Sequence, residues 1–385
     1  MIFQPPELPD PYVKVIEKID DLRRRLQSST SDNLNRWTGF LARMSYARLI
    51  HGSNTMEGVN ATLEDAAAAV DGEEPLKPSD ENWLALRGHR DAMDYVIQLA
   101  KEPTFSHNEG TILGLHFMMM KHDLSKYPGR YRPGAIRVEN SITHQTVYEG
   151  PEATSVQRLM SELVTCLNNK NQTEHAIVRA AMAHLNLTMI HPFKDGNGRM
   201  ARALQTFVLA RDRILDPRFS SIEEYVGRHS LAYYDVLADV GKGTWHPDYD
   251  CLPWIKFCLR AHYFQALTLM KRVQETSTFW ESLELEMAKK KLPERAIDAL
   301  AKAAFGHRVR NDNYRKLADV STQVAMRDLK TLVAVGYLQP YGEKRGRSYL
   351  ATPELRNIYQ SSKIKGDFVD PFEQVGSSFF AVTES

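Results

Sequence analysis

The sequence predicts a mainly α-helical protein with one small β-hairpin flap in its middle and a winged helix-turn-helix near its C-terminus. Three observations predict this. Apolar residues recur at spacings of three and four over most of the chain up to residue 124 and again from 155 to 292. Before residue 330, β-branched residues alternating with glycine and proline are confined to 127–150. After residue 296 the pattern runs helix, turn, helix, then two short β runs around a basic turn.

Each element follows in order. The first ten residues, MIFQPPELPD, hold three prolines and read as an extended arm. Val13, Ile16, Ile19, Leu22 and Leu26 define a helix over 11–27. A second helix starts near Leu34 and carries Trp37, Phe40, Leu41 and Met44; Gly52 interrupts it, and a short new helix is expected from Ser53. The Ala-rich stretch 62–72 is helical, and prolines at 75 and 78 precede a helix over 80–100. Ser106 reads as the N-cap of a helix over 106–124, with Ile112, Leu115, Met118 and Met119 on its apolar face. From Tyr127 to Gly150 the runs IRV and TVY make a hairpin or flap. Helices resume at 155–169 and 174–190, Pro192 bars helix at His191, and another helix runs from about Arg199 to Arg213.

Helices continue through 222–292. PERAI at 293–297 opens a separate unit: a turn at 319–321, a helix through Val324, Leu329, Leu332 and Val333, a Gly336 C-cap, and the strands YLQPY and SYLAT. The last twenty-five residues read as a loose tail. The expected organisation is a helical region over 1–105, a core over 106–265, a connecting helix over 266–295, a winged helix-like domain over 296–355 and a tail over 356–385.

Composition excludes several classes. With 385 residues, 43% of them hydrophobic and 9% aromatic, the chain can bury real cores and is not disordered. Lys and Arg number 49 against 48 Asp and Glu, so no global field draws it to nucleic acid or membrane. The local exception is 301–350, with ten Lys or Arg against four Asp or Glu, a net +6. Cys166, Cys251 and Cys258 show no CxxC or Cys/His zinc spacing, read as packing residues and suit a reducing compartment. The N-terminus lacks a basic start and an apolar run, and no stretch approaches 18 apolar residues, so a cytoplasmic protein with no membrane partner is expected. A homodimer is left open.

Chemistry concentrates in His191-Pro192-Phe193-Lys194-Asp195-Gly196-Asn197-Gly198-Arg199-Met200-Ala201-Arg202. Two glycines around Asn197 at a helix start let backbone N–H groups share one concavity that favours a phosphate. Asp195 is a hard oxygen ligand suited to magnesium shared with phosphate oxygens. Arg199 and Arg202, three apart, can grip phosphates bidentately. His191 can take a proton from an attacking hydroxyl. These are parts of an adenylyl- or phosphoryl-transfer site.

This string closely resembles the signature loop of Fic (filamentation induced by cAMP) domain proteins, at every defining position. The resemblance implies a Fic helical core that transfers AMP from ATP to a hydroxyl side chain (Tyr, Thr or Ser) of a target protein, with Mg2+ or Mn2+. By it, His191 is the base, Asp195 binds the metal, and the Gly196–Gly198 backbone with Asn197 cradles the phosphates. Arg199 and Arg202 hold the β- and γ-phosphates, Phe193 plugs the core and Lys194 is exposed.

A second resemblance lies in Ser53-Asn54-Thr55-Met56-Glu57-Gly58, which fits the family's inhibitory pattern of Ser or Thr, three residues, Glu, then Gly or Asn. In similar proteins this glutamate pairs with the loop's second arginine, here Arg202, and diverts it from the γ-phosphate. The flap at 135–150 aligns with the segment that holds the target by strand addition, with Thr146, Val147 and Tyr148 at the nucleotide-contacting positions. YVGRHSLAYYDVL (225–237) resembles the helix whose tyrosines close over adenine, which makes Tyr233 the candidate; Gly241 stands where relatives often carry asparagine.

Other readings stay open. The loop reads pyrophosphate more than base, so UMP or phosphocholine transfer is compatible, as is removal of AMP by water activated at Glu57. GKGT at 241–244 lacks the earlier glycine of a P-loop. From another class, the basic winged helix would make this a DNA-binding regulator with a nucleotide-sensing Fic core, using Arg327, Lys330, Lys344, Arg345 and Arg347.

Overall fold

A computed structural model describes residues 1–31, 36–73, 80–139, 145–169, 173–212, 215–343 and 347–376. Lys344, Arg345 and the flap tip at 140–144 lie outside the described residues. The chain divides into two compact units, one of 1–28, 45–267 and 368–385 and the other of 29–44 and 268–367.

Helices dominate, as the periodicity predicts. The elements are α1 (Asp10–Ser31), α2 (Arg36–Thr55), α3 (Leu63–Val70), α4 (Glu81–Lys101), α5 (Glu109–Met120), α6 (Ala153–Leu167), α7 (Ala176–Ile190), α8 (Asn197–Arg211), α9 (Pro217–Ser220), α10 (Glu223–Arg228), α11 (Ser230–Gly241) and α12 (Leu252–Lys289). Two strands, β1 (Arg137–Glu139) and β2 (Thr146–Glu149), pair antiparallel as the flap.

Nearly every residue of α7 and α8 is buried, so these helices are apolar on almost all sides, the mark of a central pair. Around them pack α4 and α6. The Trp254 indole of α12 donates to the Ala181 carbonyl at 2.8 Å, which ties α12 to α7. A polar chain crosses this core. Tyr233 Oη meets His184 Nε2 at 3.0 Å, His184 Nδ1 meets Gln205 at 2.5 Å, and Gln205 meets His262 Nε2 at 3.2 Å. Burial drives the His184 pKa down to about 3, so the ring stays neutral.

Three sequence expectations change here. The N-terminal arm is extended but docked: Ile2 and Phe3 are buried, and Phe3 and Asn186 exchange backbone and amide hydrogen bonds at 2.9 and 3.0 Å. No new helix begins at Ser53, because α2 runs unbroken through Gly52 to Thr55. A Cβ at Gly52 would stand 2.6 Å from the Glu223 carbonyl oxygen, and one at Gly227 would stand 3.1 Å from Gly52 Cα. The glycines are there for the close crossing of α2 and α10, which outweighs the roughly 1 kcal/mol that glycine costs inside a helix. The described part of the tail is docked rather than loose: it includes α17 (Pro371–Gly376), Phe372 packs edge-on against Tyr12 at 5.1 Å and Asp370 pairs with Arg260 at 2.7 Å.

The second unit contains α13 (Ile297–Ala304), α14 (Asn311–Ala318), α15 (Thr322–Ala334), β3 (Leu338–Tyr341), β4 (Ser348–Ala351) and α16 (Pro353–Ser361). Its strands pair antiparallel from Leu338↔Ala351 to Tyr341↔Ser348. Ser321 caps α15 through the Val324 N–H. Its core gathers Leu300, Tyr314, Leu329, Leu332, Tyr337 and Leu355.

Candidate active site

The site sits where α7 hands over to α8. Pro192 cannot continue a helix, so His191 becomes the C-cap of α7 in the left-handed region, φ 50°, with its N–H on the Leu187 carbonyl at 3.0 Å. A non-glycine residue pays roughly 1–2 kcal/mol for that conformation. Arg132 holds it in place. Its Nε donates to the His191 carbonyl at 2.8 Å, its backbone N–H to the Pro192 carbonyl at 2.9 Å, and its Nη1 to the Gly134 carbonyl at 2.6 Å. One guanidinium thus joins the loop to the base of the flap.

The His191 ring is oriented by its partner. Nδ1 lies 3.1 Å from the Thr188 carbonyl, an acceptor, so Nδ1 carries the hydrogen and Nε2 is left basic. Burial lowers its pKa from the ordinary 6.5, against the Thr188 bond and the Glu57 charge, which both raise it. At neutral pH the ring is a neutral base.

The loop is pinned from within. Phe193 is buried and stacks on the His116 ring, centroids 3.7 Å apart. Asn197 Oδ1 accepts the Phe193 N–H and its Nδ2 donates to the Phe193 carbonyl, both at 2.9 Å. The Asn197 amide therefore closes the loop and is turned away from a phosphate; only its backbone is free to cradle one. Lys194 is exposed, as expected, with Nζ on the Ser125 carbonyl. Asp195 Oδ1 accepts the Gly196 N–H at 2.6 Å, and Oδ2 pairs with Lys126 at 3.1 Å.

Gly196 takes φ 78° as the residue before α8, and α8 has no side-chain cap. Its first N–H groups are left for an anion. Arg199 is buried, and its Nε and Nη1 have no hydrogen-bond partner. Its Nη2 lies 3.9 Å from Asp195 Oδ1, and two buried guanidinium donors without acceptors are costly, which suits this group to receive an anionic ligand.

Arg202 is already engaged. It is 1% exposed; Nε donates to Ser53 Oγ at 2.8 Å, and Nη2 donates to the Ser53 carbonyl at 2.9 Å and to Glu57 Oε1 at 2.8 Å. Burial would lower the Arg202 pKa, but the Glu57 carboxylate outweighs it and the guanidinium keeps its charge. Gly198 makes the room. A Cβ there would collide with Glu57 Oε1 and stand 3.0 Å from Arg202 Nη1. The segment that carries Glu57 is anchored by Asn54, whose amide donates to the Ile50 carbonyl at 2.7 Å and meets His89 Nδ1 at 2.8 Å.

The flap and the tyrosines sort differently from expectation. Thr146 and Val147 are exposed, but Tyr148 is buried, its hydroxyl donating to the Met189 carbonyl at 2.8 Å, so it anchors the flap. Gly241 fits beside it: a Cβ would come within 3.2 Å of the Tyr148 ring and 3.3 Å of Met189. Tyr233 is 2% exposed with its hydroxyl on His184, which makes it a core residue. Its neighbour Tyr234 is the accessible one, 47% exposed, its hydroxyl donating to the Met56 carbonyl at 3.1 Å.

Sequence reasoning missed Arg132, His116, Lys126 and Tyr234. His116 Nδ1 accepts the Gly129 N–H and its Nε2–H donates to the Asp195 carbonyl, both at 2.9 Å; burial drives its pKa down to about 4. The neutral ring is held between two backbone segments. His116→Ala should remove the stacking partner of Phe193 and orphan both groups. The expected loss is about 3 kcal/mol, a fall of roughly 6–12 °C in Tm by calorimetry. An unchanged Tm would deny His116 this role.

Among the described residues no group of three His, Cys, Asp or Glu side chains could hold a metal by itself, and no helix is long and apolar enough to cross a membrane. Asp195 alone suits an ion whose other ligands are phosphate oxygens and water.

Comparison with known proteins agrees with this geometry. Residues 106–209 match the Fic/DOC family. Proteins named "Protein adenylyltransferase Fic" are 28% identical over 250 residues in Nematostella vectensis (64% of this chain, 53% of that one) and 28% identical over 251 residues in Aedes aegypti (63% and 45%). The chain thus spans about half the length of these curated relatives. The fold is shared with a Fic family protein from Desulfovibrio desulfuricans (TM-score 0.59, 23% identity, 91% of this chain and 99% of that one). It is also shared with a Fic domain-containing signaling protein from Bacteroides thetaiotaomicron (TM-score 0.55, 21% identity, 67% and 96%).

Proposed function

The chain is a Fic-domain protein through residues 106–209, and from that premise we propose that it is an autoinhibited protein adenylyltransferase that moves AMP from ATP to a hydroxyl side chain of a target protein. One observation carries the reading. In one turn of α8, Arg199 is buried with Nε and Nη1 open, while Arg202 has Nε and Nη2 held by Ser53 and Glu57 and Nη1 without a partner. A triphosphate offers two anionic groups to match them, and the Glu57 carboxylate stands at the second of the two receptors.

In the reaction, His191 Nε2 takes the proton of the target hydroxyl, the oxygen attacks the α-phosphorus, and the bond to the β-phosphate oxygen breaks to release pyrophosphate. The first N–H groups of α8 and the Arg199 guanidinium hold phosphate oxygens in line. Arg202 joins them once Glu57 withdraws. Asp195 would hold a magnesium or manganese ion shared with the phosphates, which would neutralise charge gathering on the leaving pyrophosphate. Its exposed pairing with Lys126 is weak enough to give way. The flap edge presents backbone groups to an extended target segment, and Tyr234, rather than the buried Tyr233, is positioned to meet a base.

The test uses ATP labelled at the α-phosphate with wild type, Glu57→Gly and Glu57→Gly/His191→Ala, following label on protein. Label on Glu57→Gly alone is expected. Transfer from UTP or CDP-choline instead, or label released from an AMP-modified protein, would overturn the assignment.

The pH profile gives a second check. His191 works neutral and its pKa in the free enzyme is lowered below 6.5, so kcat/KM for transfer by Glu57→Gly, which reports the free enzyme, should be level at neutral pH and fall only as pH drops through a value below 6.5. Removing Glu57, whose charge raises that pKa, pushes the limb lower still. An acid limb above 6.5 would exclude His191 as the base.

A further inference from the structure

The second unit carries a surface that AMP transfer leaves unused. Along α15, Ala325, Asp328, Leu329 and Leu332 turn inward. The outward stripe is Gln323, Met326, Arg327, Lys330, Thr331 and Ala334, all exposed.

The helix has sorted its charges. Its one acid, Asp328, is 3% exposed and is spent on the interior, accepting from Arg295 Nε at 2.7 Å, Arg295 Nη2 at 3.1 Å and the Tyr314 hydroxyl at 2.9 Å. Burial would raise its pKa, but these partners hold it below the ordinary carboxylate value, so it remains a charge matched from behind. Arg327, 71% exposed, approaches Asp328 only at 3.9 Å. The outward face therefore has two cations, two hydrogen-bonding polar side chains and no carboxylate. Lys316 of α14 and Arg347, just before β4, are also exposed, and residues 301–350 carry a net +6 in a chain whose total is +1.

From this arrangement we infer that α15 binds duplex DNA, its outward stripe lying in the major groove. The dimensions fit: thirteen residues make a rod about 20 Å long, and B-DNA admits a helix in a groove about 12 Å wide. The second helix of a helix-turn-helix reads bases through its first turns. Gln323 can pair bidentately with adenine, Arg327 with guanine, and Met326 offers an apolar contact for a thymine methyl. Lys330 is placed for backbone phosphate. An acidic protein would be drawn by the same charge, but it would not need a helix face in which apolar and amide side chains alternate with cations.

The experiment measures fluorescence anisotropy of a labelled, mixed-sequence duplex of about 30 base pairs with the full chain, between about 50 and 200 mM salt. Binding whose logarithm falls linearly with log salt is expected. Arg327→Ala/Lys330→Ala should weaken it at least about tenfold and lower the salt slope by about 1, the share of the phosphate contact at Lys330. Both residues are exposed, so an unchanged melting curve confirms that the variant is folded. No binding at low salt, unchanged affinity and slope in the variant, or equal competition by polyglutamate at matched charge would each overturn the inference. Glu57→Gly should bind DNA as wild type does, which keeps this result independent of the transfer reaction.

Discussion

Glu57→Gly is expected to raise AMP transfer by about two orders of magnitude. The carboxylate lies 2.8 Å from Arg202 Nη2 and occupies the space over Gly198. A triphosphate entering the site must find its terminal phosphate a new position, and displacement of a reacting group by about 1 Å costs roughly 10²-fold in rate. Removing the carboxylate returns Arg202 to the ligand. It also leaves a buried guanidinium with Ser53 but no carboxylate as partner, so the variant should melt lower than wild type without nucleotide and recover when ATP is added. Glu57→Gln, which keeps the shape and loses the charge, should fall between the two in rate. Equal label incorporation by wild type and Glu57→Gly would remove Glu57 from any inhibitory role.

The second large effect is at His191. In the Glu57→Gly background, His191→Ala should lower transfer by about 10²–10⁴-fold, the usual contribution of a positioned base, while ATP affinity by calorimetry changes no more than a few-fold. The ring is oriented by Thr188, and the phosphate receptors are elsewhere. Because His191 has φ 50°, alanine there adds backbone strain, so His191→Asn, which tolerates the left-handed region, is the matched control. Equal losses of transfer and of ATP binding would place His191 in the nucleotide site.

Much of the site could be read in the sequence because it is contiguous. His191 through Arg202 form one loop and one helix turn, and their chemistry survives without knowledge of the rest of the chain. Glu57 was legible from a short pattern, but its setting was not. Gly52 reads locally as a helix breaker, whereas its reason lies with Glu223 and Gly227, far along the chain. The adjacent tyrosines were ambiguous for a related cause: Tyr233 and Tyr234 are next to each other in sequence, and only the packing of His184 decides which is buried. Arg132 and His116 left no signal because they act on backbone carbonyls and N–H groups, which every residue type supplies.

The carboxylate seated over Gly198 sets what kind of inhibitor Glu57 would be. A carboxylate carried on the same chain is a tethered ligand whose effective concentration is millimolar or higher, whatever the concentration of the protein. Inhibition of this kind would not dilute away, and a nucleotide phosphate would compete with it at a fixed disadvantage set by the tether. Linkage makes the coupling reciprocal: whatever draws Glu57 off Arg202 tightens the hold on the terminal phosphate by the same factor, and a nucleotide that seats that phosphate weakens the hold on Glu57 equally.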